Sequence, residues 1–558
     1  MKDQSSPVAP VGQGQPAALP ANYKWRVLST VIFGIFMIIL DTTVVNVAFQ
    51  TLRQEFGGSL SDSQWIISTY VLALGISTPL AGFLANRFGA KKIYLGGLGL
   101  FALGSLLCGL SPNLTLLIIF RAIQGIGGGI AAPLGIALLL QAFPPKEQGT
   151  ALGIFGIAAL VAPAIGPIMG GWLVDQNLWR VIFFLNPPIG LTGILLGLHF
   201  LREQESGHRP SFDLAGVITE VIGFGAILYA ASIAADRGWT SPATLTWFAV
   251  GAAGLIVFGV VELFVAHTPL LDLRLFGNRV FLNASLLGYV STVALFGAEF
   301  LMPVYLQSLR GRTALETGYI LLPMAITGGI CVTLSGRIYD KVGPRPLMVG
   351  GFSILMVNTW QLSQIQADTS IGWILFLLAL RGLALGLTVQ TTMVTALSVV
   401  TRRDLARGSS LANATRLVVQ SIGVAVLATV LASAISPEVQ ALQNQFGEGQ
   451  GIAFSHIAGL CEPVPLTQVG AVRGGNGLLF SSATHEPAVD AQRQGPTDPP
   501  QMGDMLQRAC RENIAGFERA YKVTFYVAFA ALLLGLMLPG WPAKWAGRRD
   551  VEAPVTPH

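Results

Sequence analysis

From residue 28 onward the chain alternates long apolar stretches with short polar turns flanked by glycine. Val31–Leu40 holds no charged residue, and Leu114–Leu140 is interrupted only by Arg121, Gln124 and small residues. Runs of this kind match the ~20 residues that an α-helix needs to cross a bilayer core. The apolar segments fall at 28–49, 63–84, 93–110, 114–141, 150–173, 181–201, 213–234, 243–267, 280–307, 317–336, 346–365, 371–399, 407–435 and 518–540. The pattern therefore predicts an all-α integral membrane protein with fourteen transmembrane helices.

Composition supports that reading. Of 558 residues, 52% are hydrophobic and only 11% are charged, too little charge to cover a soluble protein of this length. Residues 5–22 carry no charged region ahead of an apolar stretch. They read as a disordered tail and not as a cleaved signal peptide, so the first helix is its own insertion signal. A net charge of +5 raises the question of nucleic acid, but the distribution of Lys and Arg answers it. With the N-terminus cytoplasmic, twenty of them lie in the tails and inner loops and five in the short outer loops, Arg53, Arg180, Arg237, Arg310 and Arg312. The positive-inside bias accounts for the charge and puts both termini in the cytoplasm, with no nucleic-acid partner.

The chain divides into a cytoplasmic tail (1–26), a six-helix bundle (27–205), an inserted two-helix hairpin (206–270), a second six-helix bundle (271–540) and a short cytoplasmic tail (541–558). The second bundle contains an extracytoplasmic loop at 436–517. The bundles are pseudo-repeats. Helix 2 ends in a basic turn, Gly82-Phe-Leu-Ala-Asn-Arg-Phe-Gly-Ala-Lys-Lys92, and helix 10 ends in Gly336-Arg-Ile-Tyr-Asp-Lys-Val-Gly-Pro-Arg-Pro346. Helix 4 carries Arg121-Ala-Ile-Gln-Gly-Ile-Gly-Gly-Gly129, and helix 12 carries Arg381-Gly-Leu-Ala-Leu-Gly386. Repeated halves are a mark of transporters whose site lies between them near the midplane.

Three further stretches complete the pattern: Leu40-Asp-Thr-Thr-Val-Val-Asn-Val-Ala48 in helix 1, Ala162-Pro-Ala-Ile-Gly-Pro-Ile-Met-Gly-Gly171 in helix 5, and Trp179-Arg-Val-Ile-Phe-Phe-Leu-Asn-Pro-Pro-Ile-Gly190 opening helix 6. In this order the chain resembles the major facilitator superfamily, and within it the fourteen-helix drug:proton antiporters of the EmrB/QacA type, over about residues 25–435 and 518–540. The resemblance implies proton-driven export of hydrophobic or cationic compounds by alternating access. It assigns Gly82, Asn86, Arg87 and Gly89 to a conformational lock, and Pro163, Gly166, Pro167, Gly170 and Gly171 to a helix 5 seal between the halves. The family usually has an acid where this chain has Asn86, so the charged lock is expected instead at Asp340, the matching place in the second half.

Charges at bilayer depth are costly and point inward to partners. By helix rise, Asp41 and Glu299 lie ~12 Å and Arg121 ~10 Å from the outer ends of their helices. A carboxylate in a dry cavity binds a proton more readily, and a nearby Arg opposes this. Asp41, Arg121 and Glu299 are therefore the candidate proton-coupling residues; the bland alternative is local packing. Arg381 and Arg416 are the other arginines inside spans. Gln124, Tyr305, Gln307 and Gln390 are candidate cavity residues, with Trp65 and Tyr70 as further aromatics near central spans. Glu220 and Glu262 share a depth in the hairpin, which leaves open whether they face each other, the main body or water.

The 436–517 segment is too polar to span and far longer than an ordinary connection. It holds Cys461 and Cys510, expected to form a disulfide in an oxidising compartment that tethers a cap over the outer mouth; a linker with two free thiols is the alternative. Residues 501–518 have helical apolar spacing and are expected as a short amphipathic helix ahead of the last span. The histidines have no metal spacing, and no phosphate-binding loop or nucleophile elbow occurs. No metal, cofactor or enzymatic activity is expected. The partners implied are protons, a small-molecule substrate, the lipid bilayer of the cell membrane and, left open, a periplasmic adaptor protein. Two other functions remain: export of one endogenous metabolite or toxin, and a sensor or enzyme on a transporter scaffold.

Overall fold

The computed structural model describes residues 22–57, 60–203, 213–266, 269–402, 404–434, 436, 461, 473–474, 477–478 and 499–539. Most of the two terminal tails and of the 436–517 loop falls outside this set, as do the side chains of residues 296–300.

Among the described residues the fold is helical, apart from one antiparallel pairing of two-residue strands, β1 (Arg473–Gly474) and β2 (Gly477–Leu478). The helices are α1 (Tyr23–Phe56), α2 (Leu60–Phe88), α3 (Ala90–Gly109), α4 (Leu114–Ala142), α5 (Gln148–Asp175), α6 (Trp179–Phe184), α7 (Asn186–Phe200), α8 (Leu214–Arg237), α9 (Pro242–Val260), α10 (Arg279–Val304), α11 (Ala314–Val342), α12 (Pro344–Leu362), α13 (Ile371–Leu397), α14 (Leu405–Ala432) and α15 (Pro499–Gly535). Among the described residues, eleven helical segments are long and apolar enough to cross a membrane. The apolar part of α10, Arg279–Leu295, is shorter.

The expected sixth helix is two pieces, because Pro187 and Pro188 supply no backbone N–H and interrupt the bonding between α6 and α7. The last helix differs more. The expected amphipathic helix at 501–518 is not a separate element but the first half of α15, 37 residues in one run. Buried Asn513, whose side chain donates to Ala509 O (2.7 Å), and the Lys522–Glu518 pair lie across the point where a turn was expected.

Glycine lets helix backbones meet closely. A β-carbon on Gly104 would lie 2.7 Å from Gln124 N, which fixes α3 on α4, and one on Gly386 would lie 2.7 Å from Gly328 O, which fixes α13 on α11. Gly89 (φ 99°) and Gly343 (φ 83°) take the same place in the turns α2–α3 and α11–α12, a backbone region that L side chains seldom adopt. Two seams join the first helices to the later ones. Along one, α5 runs against α11; along the other, α2 meets α14, with α8 packed on both.

Candidate functional site

The first cluster is built from α1, α3, α4 and the break before α7. Arg121 Nη1 donates to Asp41 Oδ2 (2.6 Å) and to Gln124 Oε1 (2.8 Å). Asp41 Oδ1 accepts from Gln124 Nε2 (2.8 Å) and Asn186 Nδ2 (2.7 Å). Asn186 also donates to Ser105 Oγ (2.9 Å), whose hydroxyl donates to Phe183 O (2.8 Å). Arg121 Nε donates to Ile66 O (3.1 Å), and its guanidinium stands 4.1 Å from the centroid of the Tyr70 ring. Asp41, Arg121, Gln124 and Asn186 are each at most 2% exposed.

A buried ion pair is tolerable only when its remaining donors and acceptors are met. Here they are, which fixes the geometry of a charged pair inside apolar helices. Taking the charge off Asp41 would remove the attraction that holds Arg121. Asn186 and Ser105 were missed from sequence: an Asn before Pro-Pro reads as a helix breaker. Gln124, expected in a cavity wall, is instead the bridge between acid and base.

The later helices hold arginines in a different way. Arg381 donates to Asn358 Oδ1 (3.3 Å) and Ala294 O (2.7 Å), and its Nε has no hydrogen-bond partner. Arg416 Nη2 donates to Asn413 Oδ1 (3.0 Å), and its Nε is likewise unpartnered. Arg416 lines a small cavity between α10, α13 and α14 with Ser285, Tyr289, Thr292 and Thr392. No carboxylate forms an ion pair with either arginine among the described residues. Glu299 lies on α10, and its side chain is outside the described residues.

Tyr305 and Gln390 do not line this cavity. Tyr305 is buried, donates to Gln366 O (2.7 Å), accepts from Arg310 (3.2 Å) and packs edge-on against Phe517. Gln390 packs on α5, where a β-carbon on Gly156 would lie 2.6 Å from its Cγ. Gln307 is half-buried in the π-turn after α10, Tyr305–Leu309.

The seam residues are clearest at Asp340. Its Oδ1 accepts from Gly149 N (2.9 Å), and its Oδ2 accepts from Thr150 N (2.9 Å) and Thr150 Oγ1 (2.7 Å). The carboxylate of α11 thus caps the N-terminus of α5, where free N–H groups favour negative charge. At the other seam, Gly82 N donates to Ser410 Oγ (2.9 Å), and a β-carbon on Gly82 would lie 2.8 Å from Arg407 Cα. Asn86 is half-buried on α2, and the Arg87 guanidinium lies 5.6 Å from the Phe88 ring centroid.

The helix 5 glycines divide between two faces. Gly149 and Gly153 touch α11, and Pro167 Cβ lies 3.5 Å from the place of a β-carbon on Gly318. Gly166 and Gly170 instead meet Thr43 and Val44 of α1. The contact across the seam expected at Gly166 and Gly170 is therefore made at Gly149 and Gly153. Pro163 is half-buried and Gly171 buried within α5. Cys461 and Cys510 form a disulfide, and Cys461 N donates to Leu309 O (3.0 Å), so the bridge joins α15 to the end of α10.

Known proteins are similar to this chain. The family model of the Major Facilitator Superfamily matches residues 31–424. The chain is 36% identical to YhcA of Bacillus subtilis, an uncharacterized transporter of this type, over 74% of this chain and 77% of that one. It is 33% identical to the multidrug export protein EmrB of Escherichia coli, over 80% of this chain and 90% of that one. It is 28% identical to the lincomycin resistance protein LmrB of Listeria monocytogenes, over 73% and 86%. Among solved structures, the proton:xylose symporter XylE superposes with a TM-score of 0.53 at 15% identity, over 78% of this chain and 93% of that one. At that identity the likeness concerns the fold.

Proposed function

The chain belongs to the major facilitator superfamily, and on that premise we propose that it is a proton-coupled antiporter exporting hydrophobic or cationic compounds across the cytoplasmic membrane. In this reading fourteen crossings arise when α10, α12 and α15 span with the eleven apolar segments and α6–α7 count as one. Both termini then face the cytoplasm, α8–α9 is an inserted hairpin, and the helices before and after it are pseudo-repeats.

The observation that carries the reading is the Asp41–Arg121 pair, buried and hydrogen-bonded to Gln124 and Asn186. Protonation of Asp41 leaves Arg121 without its counter-charge. Breaking one side of a buried pair is worth ~3–5 kcal/mol, enough to move a two-state equilibrium between outward and inward forms. Asp340 and Gly82 close the α5–α11 and α2–α14 seams on the cytoplasmic side in one of those forms. The names of EmrB and LmrB support a drug-like substrate.

The test is uptake of ethidium into proteoliposomes holding the purified protein in inside-out orientation. An acid-inside gradient should drive uptake, and a protonophore should abolish it. Uptake unaffected by the gradient would sink the coupling.

A second reading, export of a particular metabolite, is favoured by one feature. Arg416 lines its cavity with hydroxyl groups and no acid among the described residues, a surrounding suited to an anionic or acceptor group. Transport of a lipophilic carboxylic acid that is lost in Arg416→Gln, with ethidium not transported at all, would select it.

A further inference from the structure

The hairpin α8–α9 is more than a spacer. It lies on the α2–α14 seam: a β-carbon on Gly225 would be 3.2 Å from Ile76 of α2, and Trp239 Nε1 donates to Thr429 Oγ1 of α14 (2.6 Å). Its two helices touch backbone to backbone, Gly223 against Gly254. Three acids gather at the end where α8 begins and α9 finishes. Asp213 caps α8, its Oδ1 accepting from Gly216 N (2.8 Å). The other oxygen of Asp213 and Oε1 of Glu262 both crowd the place that a β-carbon on Gly216 would take. Glu262 is in turn the charge that acts on Glu220.

The two glutamates are dry. Glu220 is 0% and Glu262 2% exposed. Neither oxygen of Glu220, nor Asp213 Oδ2, has a hydrogen-bond partner, and at Glu262 only the backbone N–H groups of Leu270 and Leu271 come near. Among the described residues the cation acting on Glu262 is Arg407, from α14. Two buried glutamates beside the half-buried Asp213, with one guanidinium acting on Glu262, are too costly to hold fully ionised, because an unpaired charge taken from water costs several kcal/mol. Adjacent carboxyls relieve this by retaining a proton between them. Arg407 is also the residue whose Cα meets Gly82 where α2 and α14 touch.

We infer that Glu220 and Glu262, beside Asp213, form a proton-binding site in the inserted hairpin, read out at the α2–α14 seam through Arg407. The site holds its proton while the seam is closed and the acids are dry. When α14 withdraws from α2, Arg407 moves with it and water reaches the cluster. A proton then passes from the carboxyl to water on the cytoplasmic side, and the ionised acids hold Arg407 in its new place. Proton occupancy thus favours the closed seam. The coupling to opening rests on the proposed reading of α2–α14 as a cytoplasmic gate; the proton site itself does not.

Two measurements on the purified protein test this. Infrared difference spectra recorded between about pH 5 and pH 9, a range in which buried carboxyls titrate, should show a protonated-carboxyl band. The band should vanish in Glu220→Gln/Glu262→Gln and persist in Asp41→Asn. Glu220→Asp keeps a carboxyl and should keep a shifted titration, which separates a lost site from a misfolded protein. Spin labels at exposed Phe88 and Arg402 report the seam. With one linked proton the open-to-closed ratio should rise about tenfold per pH unit through the transition, and it should lose that dependence in the double variant. A band unchanged by the double substitution would overturn the site, and a seam that still follows pH would overturn the linkage. Neither result depends on whether Asp41 couples transport.

Discussion

Asp340 grips Thr150 twice, its Oδ2 accepting from both the backbone N–H (2.9 Å) and the hydroxyl (2.7 Å), and so clamps the last turns of α11 onto the first turn of α5. A charge-assisted hydrogen bond contributes ~1.5–3 kcal/mol, and the N-terminus of α5 adds its own attraction for the carboxylate. Asp340→Ala should therefore shift the seam toward its open form by ~10–100-fold. Spin labels at exposed Lys146 and Arg337 would show a longer distance population in the variant. An unchanged distribution would mean that the clamp carries no conformational weight.

The Asp41–Arg121 pair makes an asymmetric prediction. Asp41→Asn leaves the Arg121 charge unpaired and keeps one oxygen acceptor where the carboxylate has two, so the protein should lose gradient-driven transport by at least ~10-fold and lose stability by ~3–5 kcal/mol. Arg121→Ala leaves a carboxyl held by the donors Gln124 and Asn186 and able to neutralise itself with a proton, whereas a stranded Arg121 stays charged, so Arg121→Ala should cost less stability than Asp41→Asn. Asn186→Ala removes one donor to Asp41, a loss of ~1–3 kcal/mol for the exposed acceptor. Thermal unfolding in detergent beside transport in vesicles separates the three. Equal stability loss in Asp41→Asn and Arg121→Ala would contradict this account of the pair.

Asp41 and Arg121 were legible in the sequence because a charge inside an apolar run has few innocent explanations. The repeated turns were legible because Gly89 and Gly343 sit where the backbone takes positive φ. What sequence could not supply was direction around a helix axis. Gly166 and Gly153 look alike as small residues in α5, yet one meets α1 and the other α11. Tyr305 and Gln390 had the right depth for a cavity but turn into packed surfaces. The continuity of α15 was hidden because an amphipathic stretch followed by an apolar one reads as two helices, whereas the chain runs on as one, with a β-carbon on Gly516 placed 2.6 Å from Leu431 O at the end of α14.

Those two faces of α5 give a prediction by substitution. A β-carbon on Gly336 would strike Gly149 O of the facing backbone, which cannot rotate away. Gly336→Leu should force α5 and α11 apart and abolish transport without preventing membrane insertion. Gly166→Leu collides instead with Thr43 of α1, so its cost should fall on the stability of the first helices, at ~1–3 kcal/mol for an overpacked contact. The comparison is read from the Lys146–Arg337 label distance, which should lengthen in Gly336→Leu alone. Lengthening in Gly166→Leu would place the seal where the resemblance first put it.

The disulfide between Cys461 and Cys510 closes a separation of 49 residues. By loop-closure entropy such a link is worth about 4 kcal/mol relative to the open chain. Its position gives it a mechanical role as well. Cys510 lies in the first half of α15, and the backbone N–H of Cys461 donates to Leu309 O at the end of the π-turn after α10. The bridge therefore ties two helices of the second group together at one end, next to the Tyr305–Phe517 contact. Maleimide labelling of intact cells without reductant should modify neither cysteine, and both should become reactive after reduction. Cys461→Ser/Cys510→Ser should lower the melting temperature and loosen α15 against α10, with amide hydrogen exchange rising over residues 508–517. The buried Cys108 and half-buried Cys331 serve as internal controls, since reduction should not alter their labelling. Labelling of both Cys461 and Cys510 before reduction would remove the bridge, and exchange at 508–517 unchanged by the double substitution would remove its role in seating α15.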